Sequence, residues 1–177
     1  IPIGNQDDAS MLRFKRVADW LSAFLYPVLV KVEPIPQLLD KARLKLFKLA
    51  QDNQTIDLTK VKEAVTRESN TCSLVVSFTR CSKNLTEHDQ NVAVLVANNL
   101  SERQTYAALC RQILFQWADM APCTYFVCLL NPDHCKRAQA PMSLCPVCLM
   151  KLAVAVGISR FKPSERYRRL VESFQGQ

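Results

Sequence analysis

Glycine is nearly absent from this chain: Gly4, Gly157 and Gly176 are the only three in 177 residues. A Gly-rich phosphate loop or a dinucleotide fingerprint needs several glycines in a short window, so both are excluded. Histidine is scarcer still, with only His88 and His134. No His-x3-His pair exists to set two imidazoles on one helical face. Long apolar runs are also missing. The longest uncharged one, Trp20 to Val30, is too short to span a bilayer and contains Ser22 and Pro27. No secretory leader is visible. The chain begins at Ile1 rather than Met, which reads as an N-terminal segment either removed or lying outside this sequence.

What the chain does hold is cysteine. Four of its eight follow the pattern Cys123-x4-Cys128-x16-Cys145-x2-Cys148. Two close pairs from two chain segments can converge on one ion. The second pair, Cys145-Pro146-Val147-Cys148, has the knuckle spacing of structural zinc sites, where a tight turn aims two sulfurs at the metal. The competing readings are buried free thiols and disulfides. His134 and Cys135 sit in the intervening loop and could replace one thiolate. Metal implies a reducing compartment, the mitochondrial matrix or the cytoplasm. Three glycosylation sequons, at Asn53, Asn84 and Asn99, pull the other way but have no other secretory sign beside them.

Net charge is +7. The basic residues are spread out except for Arg160, Lys162, Arg166, Arg168 and Arg169. This cluster reads either as a solvated helix face or as a contact to an anionic partner: RNA, anionic lipid or an acidic protein surface. Only Phe161 and Tyr167 lie among these charges, so no aromatic platform for nucleic acid is evident. Placed on a helix, Arg166 and Arg169 share one face, and Leu170 and Phe174 share another.

Periodicity places the elements. Met11, Phe14, Val17, Leu21 and Leu25 repeat at helical spacing behind Asp7 and Asp8, and Pro27 ends the run. Ser101 caps a second long helix, with Tyr106, Leu109, Ile113, Trp117 and Met120 along one stripe. Shorter helices are expected over 38–49 and 59–65, from near Cys145 to Val156, and from Pro163 onward. Residues 1–4, 28–32, 73–78 and 92–97 read as strands, with a polar loop holding Cys81 and His88 before the last. Alternating strands and helices predict an α/β or α+β domain.

The order of these parts resembles the archaemetzincins, a small family of zinc-dependent metallopeptidases. The resemblance rests on Ile1 to Asn5, on Phe24 to Val28 with Pro34 to Pro36, and on Asn91 to Leu100. It is strongest over Cys123-Thr124-Tyr125-Phe126-Val127-Cys128-Leu129-Leu130-Asn131 and Leu144 to Leu152. It covers most of the chain, is specific in the cysteine region, and is loose between Lys41 and Cys81. It implies an α/β fold with a metzincin-like mixed sheet and flanking helices, plus a C-terminal structural zinc site. The expected division is a domain over 1–158 and a basic tail helix over 159–177. The resemblance also implies that Cys123, Cys128, Cys145 and Cys148 hold structural zinc.

The family's catalytic signature, an HExxHxxGxxHC run, is degenerate here. Anchoring its final Cys on Cys123 puts Gln112, Gln116 and Pro122 at the three ligand positions. Ile113 takes the place of the general base, Asp119 that of the turn glycine, and Leu130 that of the supporting Met. A peptidase zinc needs three ligands, an open position for water and a base. Amide oxygens are poor zinc ligands beside imidazole or thiolate, and Ile113 cannot act as a base. The expectation is therefore a catalytically inactive, zinc-binding structural or accessory subunit of a larger protein assembly. The alternatives are a regulatory or nucleic-acid-binding protein using the basic tail, and a hydrolase using Cys110 or Cys135, neither of which has a local histidine.

Overall fold

The computed structural model describes residues 2–3, 8–27, 73–77, 88–89, 92–96, 100–134 and 141–175. The chain divides into two units. One comprises Ile1–Leu12 and Val32–Asn99, the other Arg13–Lys31 and Leu100–Gln177. The expected strand over 28–32 and the helices over 38–49 and 59–65 lie outside the described residues, as do Cys72 and Cys81.

The first unit holds short strands: β1 (Pro2–Ile3), β2 (Ser73–Ser77), β3 (His88–Asp89) and β4 (Val92–Val96). Their order is β1-β2-β4-β3. The long pair, β2 and β4, runs parallel with Ser73 opposite Val92 and Ser77 opposite Val96. His88, expected in a loop, instead lies opposite Ala93 in the antiparallel β3–β4 pair.

The second unit is helical. Helix α1 spans Asp8–Leu25, its first five residues falling in the other unit. Helix α2 spans Glu102–Trp117, α3 Pro146–Val156 and α4 Pro163–Gln175. Each start has a local cause. Ser101 and Gln104 form a reciprocal capping box at α2, satisfying two backbone N–H groups that the first turn leaves open. Pro146 opens α3, where its missing N–H costs nothing. Gly157 closes α3 at φ 97, a backbone region that L side chains avoid.

Within this second unit the buried apolar side chains build a core on α1 and α2. Phe14, Val17, Leu21 and Phe24 recur along one side of α1. Tyr106, Leu109, Cys110, Ile113 and Leu114 face them from α2. The Tyr106 ring is the hub, with T-shaped contacts to Trp20 at 6.0 Å, Phe24 at 5.9 Å and Phe174 at 6.1 Å. Such edge-to-face pairs add about 0.5–1.5 kcal/mol each beyond area burial. Tyr106 also donates its hydroxyl to the Met142 carbonyl at 3.0 Å, so its polar end is satisfied.

This arrangement corrects the expected α/β fold. The strands and the core helices fall in different units, and no strand occurs among the described residues of the helical one. A metzincin-like mixed sheet with flanking helices is not what the structure shows. The reason is that the helical stripes bury themselves against one another around the aromatic hub. Alternation of strands and helices along the sequence fixes the type of each element but not which layer covers it.

The tail is also placed differently from the sequence expectation. Arg166, expected on an outward charged face, is buried. Its Nε donates to the Phe24 carbonyl and its guanidinium lies 4.2 Å over the Phe24 ring. It shares the inner side of α4 with Leu170, one turn on.

Candidate metal centre

The segment after α2 is shaped by backbone bonds rather than by regular structure. The Met120 N–H reaches back to the Leu114 carbonyl at 3.0 Å, closing the helix end. Asp119 adopts φ 47 in that turn, in the left-handed region. The chain then folds on itself: Cys123 N–H bonds to Leu130 O at 3.2 Å, and Cys128 N–H to Tyr125 O at 3.0 Å. Leu129 N–H bonds to Ser143 O at 2.9 Å, which joins this loop to the stretch leading into α3.

Two buried polar side chains hold the loop. Arg111, from the middle of α2, donates to Leu129 O at 2.6 Å and to Asn131 O at 3.1 Å. Asn131 donates through its amide to Thr124 O and Tyr125 O, each at 3.3 Å, and accepts from Asp133 N–H at 2.9 Å. The buried Leu129 and Asn131 carbonyls must find donors, and Arg111 supplies them. The sequence reading assigned neither residue a role. The Asn131-Pro132-Asp133 run does carry a turn signal, because Asn caps its own backbone two residues on. Nothing local marks Arg111.

The outcome is that the Sγ atoms of Cys123, Cys128, Cys145 and Cys148 all lie within 4.8 Å of one another. Cys123 and Cys145 approach to 3.8 Å. These are free thiols, three buried and Cys123 partly exposed. Backbone N–H groups point at the sulfurs: Tyr125 N–H at Cys123 Sγ and Cys145 N–H at Cys128 Sγ, both at 3.4 Å. The four cysteines could hold one metal ion. Soft sulfur donors of this kind suit zinc, copper(I) or iron. The side chain of His134 and all of Cys135 lie outside the described residues.

The protonation of the four is uneven. Burial pushes Cys128 up. Burial, then hydrogen bonding to Cys123, Cys145 and Cys128, pushes Cys148 up. Burial acts on Cys145 in the same direction, but the Cys148 backbone N–H and the neighbouring thiols outweigh it, and Cys145 lies below its ordinary value. Sulfurs this close resist being charged together. A bound cation inverts that balance and deprotonates coordinating thiols outright.

The positions aligned with a catalytic signature are scattered in character. Gln112 and Gln116 are partly exposed one turn apart on α2, Ile113 is buried, Pro122 is exposed, and Leu130 is fully buried. Cys110, weighed as a nucleophile, has no exposed surface, and burial pushes its thiol far up. It is a core residue beside Tyr106, not a reactive one. Tyr106 is likewise core. No helix among the described residues is long and apolar enough to cross a membrane.

No protein-family model, curated protein or solved structure matches the chain.

Proposed function

We propose that the chain is a catalytically inactive, archaemetzincin-like protein that carries one structural zinc. It serves as an accessory subunit of a larger assembly in a reducing compartment, the mitochondrial matrix or the cytoplasm. The observation that carries this reading is the gathering of four sulfurs from two chain segments within 4.8 Å. Zinc–thiolate bonds of about 2.3 Å in a tetrahedron put sulfurs roughly 3.8 Å apart. The Cys123–Cys145 separation is 3.8 Å. Four thiolates fill a tetrahedral shell and leave no position for water, so such a site braces the fold and does no hydrolysis.

The likeness to the archaemetzincins is drawn from the cysteine region and is not extended to the sheet. One further residue supports it. Asp119, aligned with the family's turn glycine, adopts φ 47, the conformation that glycine favours. The replacement of ligands and base by Gln112, Gln116, Pro122 and Ile113 supports loss of the chemistry. The basic tail gives less support to nucleic-acid binding than its composition implies. Arg168 and Arg169 are ion-paired with Glu165 at 2.8 Å, and Arg168 also with Glu172 at 2.6 Å.

The test is metal analysis of protein purified under reducing conditions. One zinc per chain is expected, falling in the Cys148→Ser variant. Protein without metal, or with metal unchanged in that variant, would count against the reading.

A further inference from the structure

Helix α3 buries one side and exposes the other. Cys148, Leu152 and Ala153 face inward. Val147, Met150 and Val154, with Ile158 just beyond the helix, are each more than half exposed. The spacing of three and four residues lays Val147, Met150 and Val154 along a single helical face, and Ile158 follows its end. The turn between Cys123 and Cys128 also presents apolar groups, and Tyr125 and Val127 at its tip are more than half exposed. Both features spring from the same cysteine cluster, since Val147 stands between Cys145 and Cys148.

A contiguous exposed apolar stripe needs an occupant. The charges around it narrow the choice. Lys151 lies within the stripe, and Arg160 and Lys162 follow its end, all exposed. No Asp or Glu occurs between Met142 and Ser164. The same face of a second copy would bring like charges together. The complementary surface is therefore apolar and anionic. An apolar helical face with Lys151 on it, and Arg160 and Lys162 just beyond its end, has the composition that lies in a bilayer interface with its cations at the headgroups.

We propose that the outer face of α3, from Val147 to Ile158, docks on an anionic lipid surface. In this geometry Met150 and Val154 enter the acyl boundary. Lys151, Arg160 and Lys162 stay with the phosphates. The cysteine cluster holds the turn bearing Tyr125 and Val127 next to the same helix end. This inference is independent of whether the chain belongs to an assembly or retains any catalytic activity.

The experiment is co-sedimentation of the full, metal-loaded chain with vesicles of phosphatidylcholine alone or with about 30 mol% phosphatidylserine. Binding to the anionic vesicles alone is expected. Met150→Asp with Val154→Asp should weaken it at least about tenfold, as should Lys151→Glu with Arg160→Glu. All four positions are exposed, and unchanged helical circular dichroism will confirm that the variants fold. A Val154→Trp variant should blue-shift on anionic vesicles. Failure to sediment overturns the proposal. Binding that needs the charges but ignores Met150→Asp and Val154→Asp also overturns it, because the apolar face then does not enter the lipid. Concentration-dependent dimerisation abolished by Met150→Asp overturns it in favour of self-association.

Discussion

The indole Nε1 of Trp20 donates to the backbone carbonyl of Ser173 at 3.1 Å. One residue sits in the first helix and the other in the last. Around that bond Phe174 lies 4.8 Å from the Trp20 ring, and the Arg169 guanidinium lies 4.0 Å over Tyr26. The apolar stripe of α4 is thus used within its own unit. The tail, whose basic cluster reads in the sequence as a solvated face or a contact to an anionic partner, packs its apolar stripe into the helical core.

Removal of that packing should therefore lower stability. Leu170 is buried, and Leu170→Ala is expected to cost about 2–4 kcal/mol through lost transfer energy and a residual cavity. Truncation after Gly157 should cost more, because it uncovers Trp20, Phe24 and Tyr106 together. Urea denaturation of the metal-loaded protein measures both. A truncated chain as stable as the full one would show that α4 contributes nothing to the core.

Much of the helical unit is legible in the sequence, and the reasons are physical. The Phe14-Val17-Leu21 and Tyr106-Leu109-Ile113 stripes mark helices because side chains one turn apart must share a face. Ser101 marks a helix start because its hydroxyl caps a free N–H. The cysteines are legible because the chemistry of convergence needs close pairs. Arg166 misled because a long cationic side chain reads as exposed, whereas its stem and planar head can stack on Phe24 beneath the surface. Arg111 carried no signal, since its carbonyl partners come from a loop whose path the sequence does not state. The layering of elements was misread for the same reason: α1 and α4 meet through pairings far apart in the chain, which no local pattern encodes.

Arg111 and Asn131 provide a test of how the metal centre is held. Asn131→Ala removes the amide bonds to the part-buried Thr124 and Tyr125 carbonyls and an acceptor for Asp133 N–H. Each buried group left unsatisfied costs about 1–3 kcal/mol. Arg111→Met should act in the same direction by freeing Leu129 O and Asn131 O. Neither substitution removes a sulfur, so both variants should still bind one metal ion. Transfer of the metal to a competing chelator should be faster in each, by about tenfold or more for a loss of that size. Unchanged transfer rates would mean that the four sulfurs hold their geometry without this support.

The outer face of α4 should respond to acid. Glu165 lies between Arg168 and Arg169, and hydrogen bonds from Arg168 first, then Arg169, lower its pKa from 4.5 to about 2. A carboxylate with a depressed folded value stabilises above its ordinary value and loses that contribution as pH falls toward the folded one. The window is therefore between about pH 4.5 and pH 2. The Glu165 side chain is partly exposed and its Arg168 and Arg169 partners are solvent-facing, so the effect is small and screened by salt. Glu165→Gln should flatten the acid dependence of stability across that window, and raising the salt should reduce the difference from the parent. An identical acid profile for parent and variant would show that these ion pairs are not held in solution.

The final prediction concerns the positions where a peptidase would carry its metal. Gln112 and Gln116 lie one turn apart on α2, so their side chains share a face. As amides they hold zinc weakly, and buried Ile113 between them offers no base. The parent chain should show no metal-dependent cleavage of a broad peptide library. Gln112→His with Gln116→His would place two imidazoles at the spacing that binds zinc on a helix. That variant should take up a second equivalent of zinc, more weakly than the cysteine site, because Pro122 supplies no third ligand. It should still fail to cleave peptides, since nothing at position 113 accepts the water proton. Chelator-sensitive cleavage by the parent chain would overturn the inactive reading directly. Cleavage by the double variant alone would show that a base other than residue 113 lies within reach.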